Sequence, residues 1–579
     1  MGKIVICTDN EKMKRFQMLF GEHFSVSSEF STELLHITAY KKLRINNENF
    51  YRIDDNNFIF GVGTYLYKSD GSTEALRKIL EDYSDEFNKE DIAGSFCIAI
   101  MKNNKLEVFI DSGNTYDIYY NITNDEIVLS NTIYHTALVL GEKQFNYENI
   151  LAECISFAYV SNETFCKNIY RLSGKETLVL VNGAWSLLTS SEVYNCSTPV
   201  DIWERLENKT SGIRNLIRKP GVFMTGGQDS RLYLAFLMKH GYEPTLYYGK
   251  GNSFNTCTKE NDALVVEQIS EKLSLTMKYM DWSEVQDEQM DDRLLKYGEL
   301  FAIYRGNKNI FDQFEKEIEC DAVFFGYFGE IYRNVETISD YKKEYYTLDE
   351  YIDEMYLSSS LKVLCSNYQD FRNKFRDSLK KVCEMKNIDS NRLCKKDFVK
   401  LNAIYRERAD TRMNNLVNQF MYTAPFFGDG EIVRQAENIE YDKKNNSVLL
   451  MEGIYYYKPE LVKVPFFSHI KEKVFNPETF ELIDKKVVSK YKESVKKIIK
   501  NPIVLKLLRN IYYSMLGDNK GKEELNEDYK EKKFLLSKMK FITWMQEDNY
   551  DELYSVDSRS LKNILLYDKM IQSITKCGL

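Results

Sequence analysis

The hydrophobic pattern of this chain changes period once, near Thr198-Pro199, and that change limits the fold more than any other feature. Before it, apolar runs alternate with polar turns. FIFGVGTYLY, SFCIAIM (95–101), KLEVFID (105–111), EIVLSN (126–131) and ETLVLV (176–181) are separated by spacers such as KNNK, SGNT and VNGAW. Runs of this length between turn residues read as strands of a mostly antiparallel domain with a few helices. After the change, helices alternate with short buried strands. GVFM (221–224), TLYY (245–248), TMKYM (276–280) and DAVFFG (321–326) are the strand candidates, and residues 201–217 read as one amphipathic helix. Alternation of this kind implies a parallel sheet with crossover helices. Beyond about residue 340 the chain reads as long and helical, with charged faces and Tyr, Phe and Leu at helical spacing. At 579 residues it is too long for one core. The expected division is 1–197, 198–500 and a helical extension over 501–579.

Composition excludes several function classes. With 43% hydrophobic and 28% charged residues the chain is globular, and 41 Tyr and 34 Phe supply core and cleft lining. A net charge of −9 argues against nonspecific nucleic-acid binding. No apolar run approaches the ~18 residues of a membrane span, and MGKIVICTDN lacks the apolar stretch of a signal peptide. The 11 Cys are scattered without a C-x-x-C pair, as expected of free thiols in a reducing cytoplasm. The 5 His stand at no metal-ligand spacing, so a histidine-rich metal centre is excluded.

One corner carries chemistry. In GVFMTGGQDSRLYLAFLMKHG, Gly221 to Gly241, an apolar run stops at Thr-Gly-Gly-Gln-Asp-Ser and a helical pattern begins at once. Gly226 and Gly227 permit positive φ and close approach of backbone to a ligand. A helix N-terminus presents unpaired N–H groups to an anion. Thr225 and Ser230 add hydroxyl donors, Gln228 completes the loop, and Asp229 beside a phosphate implies a bridging Mg²⁺. Gly241 is the expected C-terminal stop. The alternative is a plain glycine turn with Asp229 or Ser230 as N-cap. No Walker A loop is present.

The corner resembles the S-G-G-x-D-S pyrophosphate loop of the ATP pyrophosphatase group, with Thr225 in place of the first serine. Three further segments, in order, are similar to the asparagine synthetase family. LYYGKGNSFNTCTKENDALVVEQISEKLSL (246–275) places Asn261-Asp262 where that family opens a helix with an acidic residue. DAVFFGYFGEIYR (321–333) looks like its strand followed by G-x-x-x-D, with Gly326 as the glycine and Glu330 in the aspartate position. MYTAPFFGDGEIVRQA (421–436) resembles R-x-P-F-L-D-x-x-L-V, with one extra residue and Ala424 before the proline. Upstream, GSFCIAIMKNNKLEVFIDSGNTYDIYY (94–120), SNTIYHTALV and TFCKNIYRLSGKETLVL are similar to the family's glutaminase domain. The resemblance covers most of residues 50–470.

It implies an α+β, Ntn-hydrolase-like β-sandwich domain, then an α/β ATP-pyrophosphatase (adenine nucleotide α-hydrolase-like) domain with a helical C-terminal extension. It also implies ATP and Mg²⁺, with Thr225, Gly226, Gly227, Gln228, Asp229 and Ser230 holding nucleotide and Asp229 and Glu330 holding metal. Glutamine-hydrolysing members carry a cysteine directly after the initiator Met. Here that position is Gly2, and Cys7 lies inside an apolar run, so glutamine hydrolysis is not expected. Tyr327 stands where β-lactam synthetases, the similar branch, have a Tyr paired with a downstream Glu for amine deprotonation; Glu407 is the partner named here, with Asp410 as the other option. Arg406, Arg408 and Arg412 could meet a carboxylate or phosphate. Lys463, Lys471 and Lys473 are the options for a lysine on the acyl-adenylate. The implied function is an AMP-forming amide ligase of the cytoplasm that joins a small-molecule or peptide carboxylate to an amine. The alternatives are an ammonia-dependent asparagine synthetase and a non-catalytic scaffold. A homodimer and a partner protein of the same biosynthetic cluster are both open, and neither nucleic acid nor membrane is an expected partner.

Overall fold

A computed structural model describes residues 2–123, 126–156, 158, 162–190, 201–251, 257–282, 295–298, 313–333, 343–445, 447–468, 471–484 and, beyond those, a few residues of 530–535, 556 and 558–576. The expected boundary at 197/198 lies outside the described residues.

Alternation builds the first part. In the strand Lys3–Cys7, Ile4 and Ile6 face one core while Val5 and Cys7 face another. In Asn57–Tyr67, Phe58, Phe60 and Val62 join the core of Ile4 and Ile6, whereas Ile59 turns the other way. A period of two with both faces apolar means that each sheet is covered on both sides. Two antiparallel sheets result. One has the order Tyr170–Arg171, Tyr119–Ile122, Ile127–Ser130, Lys3–Cys7, His36–Tyr40, Val26–Ser31. The other runs Ala184–Thr189, Glu176–Val181, Lys105–Ile110, Ala93–Lys102, Asn57–Tyr67, Phe50–Asp54. They share the core of Ile4, Phe58, Val108 and Leu129. Helix Asn10–Gly21 covers the outer face of the first through Phe16 and Phe20, and helix Ser72–Asp82 covers the second through Leu76 and Ile79. The layers are helix, sheet, sheet, helix.

The second part holds the four strands expected from the sequence, all parallel: Met277–Asp281, Thr245–Lys250, Pro220–Phe223 and Ala322–Phe324, in that spatial order. In chain order this is 3-2-1-4. Val222, Leu246 and Phe324 face helix Asp229–Lys239, and Phe223, Tyr247 and Val323 face the opposite core. The single helix expected over 201–217 is two, Ile202–Lys209 and Ile213–Leu216. Gly212 lies between them, and a Cβ there would collide with the backbone of Ser69. The close crossing, not a loss of amphipathicity, divides the helix.

A polar seam joins the parts. Thr411, Asn414, Asn415, Asn418 and Gln419, on helix Lys395–Phe420, are all buried. Asn414 Nδ2 donates to Ser95 Oγ (2.6 Å) and Thr115 O (2.9 Å). Lys42 Nζ donates to Asn418 O (2.7 Å) and Oδ1 (3.0 Å), and Thr64 Oγ1 donates to the same Oδ1 (2.9 Å). Gln419 Nε2 donates to Tyr297 O (3.1 Å), and Lys3 Nζ donates to that carbonyl (3.0 Å).

Of the extension expected over 501–579, helix Ser558–Lys576 is described. It packs on the first part: Tyr134 OH meets Ser573 Oγ at 2.6 Å, and Tyr567 OH donates to Glu153 Oε1 at 2.6 Å. It therefore does not extend the parallel-sheet layer. Among the described residues, no helix is long and apolar enough to cross a membrane.

Candidate functional site

The strand order 3-2-1-4 fixes where a ligand can sit. The chain leaves Pro220–Phe223 toward one side of the sheet, and Ala322–Phe324 lies on the other. The loops after these two neighbours meet at the carboxyl ends of the strands, the usual ligand position in open parallel sheets. Those loops are Thr225–Ser230 and Gly326–Arg333.

Helix Asp229–Lys239 starts at once, with Gln228 in the N-cap position and no side chain capping it. Neither Asp229 nor Ser230 is the N-cap, so the plain-turn alternative fails on that point. Gln228 Oε1 is buried without a hydrogen-bond partner. Ser230 Oγ accepts from Thr225 N (3.1 Å) and lies 3.2 Å from Thr225 Oγ1, so the two hydroxyls are adjacent. Gly226 and Gly227 do not take positive φ. Gly226 is needed because a Cβ would lie 2.9 Å from Asp262 Oδ1 and from Phe467 Cβ. Gly241 does take positive φ, +80°, and ends the helix as expected.

Three further contacts hold the loop. Gly226 N donates to Asp262 Oδ1 (2.8 Å), and Tyr248 OH donates to Asp262 Oδ2 (2.9 Å). Phe467 N donates to Gly226 O (2.9 Å). Arg231 is fully buried and donates to the carbonyls of Leu461, Val464, Pro465 and Gly226 (3.2, 2.7, 2.8 and 3.3 Å), with its guanidinium over the Phe466 ring. Burial lowers its pKa to about 9.

The Gly326–Arg333 loop lies directly on the helix start. A Cβ at Gly326 would lie 2.7 Å from Ser230 N, and one at Gly329 would lie 2.5 Å from Asp229 Cβ. Phe328 takes a left-handed φ of 63° and turns the chain. Arg333 then grips Asp229 with both prongs, Nε to Oδ1 at 3.0 Å and Nη2 to Oδ2 at 2.9 Å, and reaches Glu330 Oε1 at 3.4 Å. Asp229 and Glu330 are thus brought together, on a guanidinium. Tyr332 OH donates to Phe427 O (2.6 Å), which adds the 421–436 segment to the same corner. All four resembling segments of 221–436 converge.

The carboxylates, so arranged, do not fit Mg²⁺. That ion needs oxygens at near-octahedral positions, commonly one or two carboxylates with phosphates and water. Here both oxygens of Asp229 and one of Glu330 accept from Arg333, and Asp262 accepts from Gly226 and Tyr248. Among the described residues, no group of three His, Cys, Asp or Glu could hold a metal.

Other expected residues are more scattered. Tyr327 is half-buried and stacks on Phe325 (5.0 Å between ring centroids), which stacks on Phe223 (4.9 Å). Glu407 lies on helix Lys395–Phe420, but its side chain, like those of Arg406, Arg408, Asp410 and Arg412, falls outside the described residues. Lys463 is exposed, Lys473 half-buried, and the side chain of Lys471 is outside the described residues. At the start of the chain, Gly2 N donates to Tyr40 O (2.8 Å), and a Cβ at Gly2 would lie 3.1 Å from Gln419 O. Cys7 is fully buried, and burial drives its thiol pKa far up. A thiol in that state is not a nucleophile. Sequence reasoning missed Arg231 and Arg333; the only cue for either was a basic residue within a glycine-rich segment.

No family model and no curated protein sequence matches the chain. Among solved structures, it is similar to the glutamine phosphoribosylpyrophosphate amidotransferase of B. subtilis complexed with ADP and GMP, at 9% identity and a TM-score of 0.23, covering 48% of this chain and 91% of that one. A second is described as the allosteric regulatory enzyme of purine biosynthesis, at 10% identity and a TM-score of 0.23, covering 38% of this chain and 60% of that one. Likenesses of this size say nothing of activity.

Proposed function

We propose that the chain is an ATP-dependent amide ligase that adenylates a carboxylate and transfers the acyl group to an amine. One observation carries this reading: the Thr225–Ser230 loop, the Gly326–Arg333 loop and Asp262 meet at the carboxyl edge of a 3-2-1-4 parallel sheet, at its switch point. A substrate carboxylate attacks the α-phosphorus of ATP, and pyrophosphate leaves. The backbone of Gly226–Gln228 and the hydroxyls of Thr225 and Ser230 hold the pyrophosphate. Asp229 positions Arg333. Tyr327 relays the proton of the incoming amine, accepting it as its own hydroxyl proton passes to the carboxylate of Glu407, the proposed partner, and the amine displaces AMP. The buried Cys7 and the packed Gly2 support an amine drawn from a substrate, not from glutamine.

The test is ATP–pyrophosphate exchange across a panel of carboxylates. The parent exchanges with at least one, and Asp229→Ala lowers exchange by about 100-fold or more, the scale of losing a fixed electrostatic group. Tyr327→Phe leaves exchange intact and slows amide formation. A parent that neither binds ATP nor exchanges with any carboxylate sinks the proposal. That result favours the second reading, a scaffold of the same architecture, for which the pairing of both Asp229 and Glu330 with Arg333 already speaks.

A further inference from the structure

We propose that Arg333 is the resident cation of the switch-point site, and that its guanidinium and a divalent metal exclude one another between Asp229 and Glu330. Three separate features fix the guanidinium there. The left-handed Phe328 and the turn Gly329–Ile331 bring the side chains of Glu330 and Arg333 together in an ion pair. Gly329, lacking a Cβ, lets this turn lie against Asp229. The grip on Asp229 is the two-pronged match of a planar guanidinium to a carboxylate, which a point charge does not reproduce. All three side chains are mostly covered: Arg333 is 20%, Asp229 23% and Glu330 25% exposed. Water therefore screens this triad less than an ordinary surface pair.

A guanidinium keeps its charge at neutral pH. A divalent ion reaching Asp229 would have to take its oxygens from the guanidinium and then sit against a like charge. Two carboxylates sharing one guanidinium keep only half of their negative charge, so the cluster draws a metal from water less strongly than a bare carboxylate pair. Within the ligase reading, on which this clause alone rests, nucleotide binding becomes independent of divalent ions.

The experiment uses the full chain and Mn²⁺ alone, followed by its EPR signal. The parent shows no saturable site into the millimolar range. Arg333→Gln gains one site per chain, and adding Asp229→Asn removes it again. Thermal melts check that each variant is folded. Should Arg333→Gln not fold, Arg333→Lys takes its place, since an ammonium cannot span both oxygens; it binds Mn²⁺ at least about tenfold more tightly than the parent. A parent that binds one Mn²⁺ through Asp229, or a folded Arg333 variant that gains no site, overturns the proposal. A second arm measures ATP binding in Mg²⁺ and in EDTA. Equal affinities are expected, and an affinity about tenfold weaker in EDTA also overturns the proposal. Absence of ATP binding in both buffers ends the ligase reading, while the Mn²⁺ titration still decides the role of Arg333.

Discussion

At the scale of single residues, two positions make the site and its surroundings testable without assay of a reaction. Gly329→Ala would push a Cβ into Asp229, 2.5 Å from its Cβ, so we expect a loss of about 1–3 kcal/mol in stability and of ATP binding. Gly21→Ala, where nothing lies within 4 Å, is the matched control and leaves both unchanged or slightly improved. Asp111 is a different case. It is buried near the seam, with Oδ1 accepting from Thr115 N and Oγ1, and burial pushes its carboxyl up to about 7. The unfolded chain ionises this group near pH 4, whereas the native protein keeps its proton until about pH 7. Unfolding therefore releases a proton between those values, and stability falls as pH rises through the window, levelling above it. Denaturation midpoints recorded from pH 4 to 8 should show that decline in the parent and a flatter profile in Asp111→Asn. A decline of equal size in the variant would assign it to other groups.

At the scale of elements, Arg231 ties helix Asp229–Lys239 to the segment 461–465 through four carbonyls. Arg231→Leu leaves buried acceptors unpaired at about 1–3 kcal/mol each, and a loss of at least about 4 kcal/mol in total is expected from chemical denaturation. A change below 0.5 kcal/mol, the usual size of a surface effect, would show the anchor to be idle. The elements themselves were largely legible in the sequence. Alternation in FIFGVGTYLY and in SFCIAIM announced strands, and the four apolar runs from GVFM to DAVFFG became four parallel strands. The strand-to-helix corner at TGGQDS was legible because glycine, hydroxyl and helix start are adjacent in the chain. What the sequence hid are pairings across distance. Arg333 and Asp229 stand 104 positions apart, and periodicity reports only local geometry. The break at Gly212 depends on Ser69, and the need for Gly226 depends on Asp262 and Phe467, none of them a chain neighbour. The amides of the run NNLVNQ (414–419) are buried against another part of the molecule, a contact that local spacing does not report.

At the scale of the whole molecule, that seam is expected to couple the unfolding of the two parts. Its hydrogen bonds link Asn414 and Asn418 to Ser95, Thr64 and Lys42, while Asn414 Oδ1 and Asn418 Nδ2 are buried without a partner among the described residues, so the network is only partly satisfied. In Asn418→Leu the amine of Lys42 loses an acceptor while remaining buried, so the parts should uncouple. Calorimetry of the parent is expected to give one endotherm and of the variant two; a single unshifted endotherm would mean that apolar packing alone couples the parts. The last described helix has a consequence of another kind, for synthesis. Ser558–Lys576 covers the helices Ile133–Leu140 and Tyr147–Ser156, which leave the ribosome ~400 residues earlier. At ~5–20 residues per second, those helices wait roughly 20–80 s with an oily flank bare. The growing chain therefore carries that flank uncovered until residues 558–576 have been made.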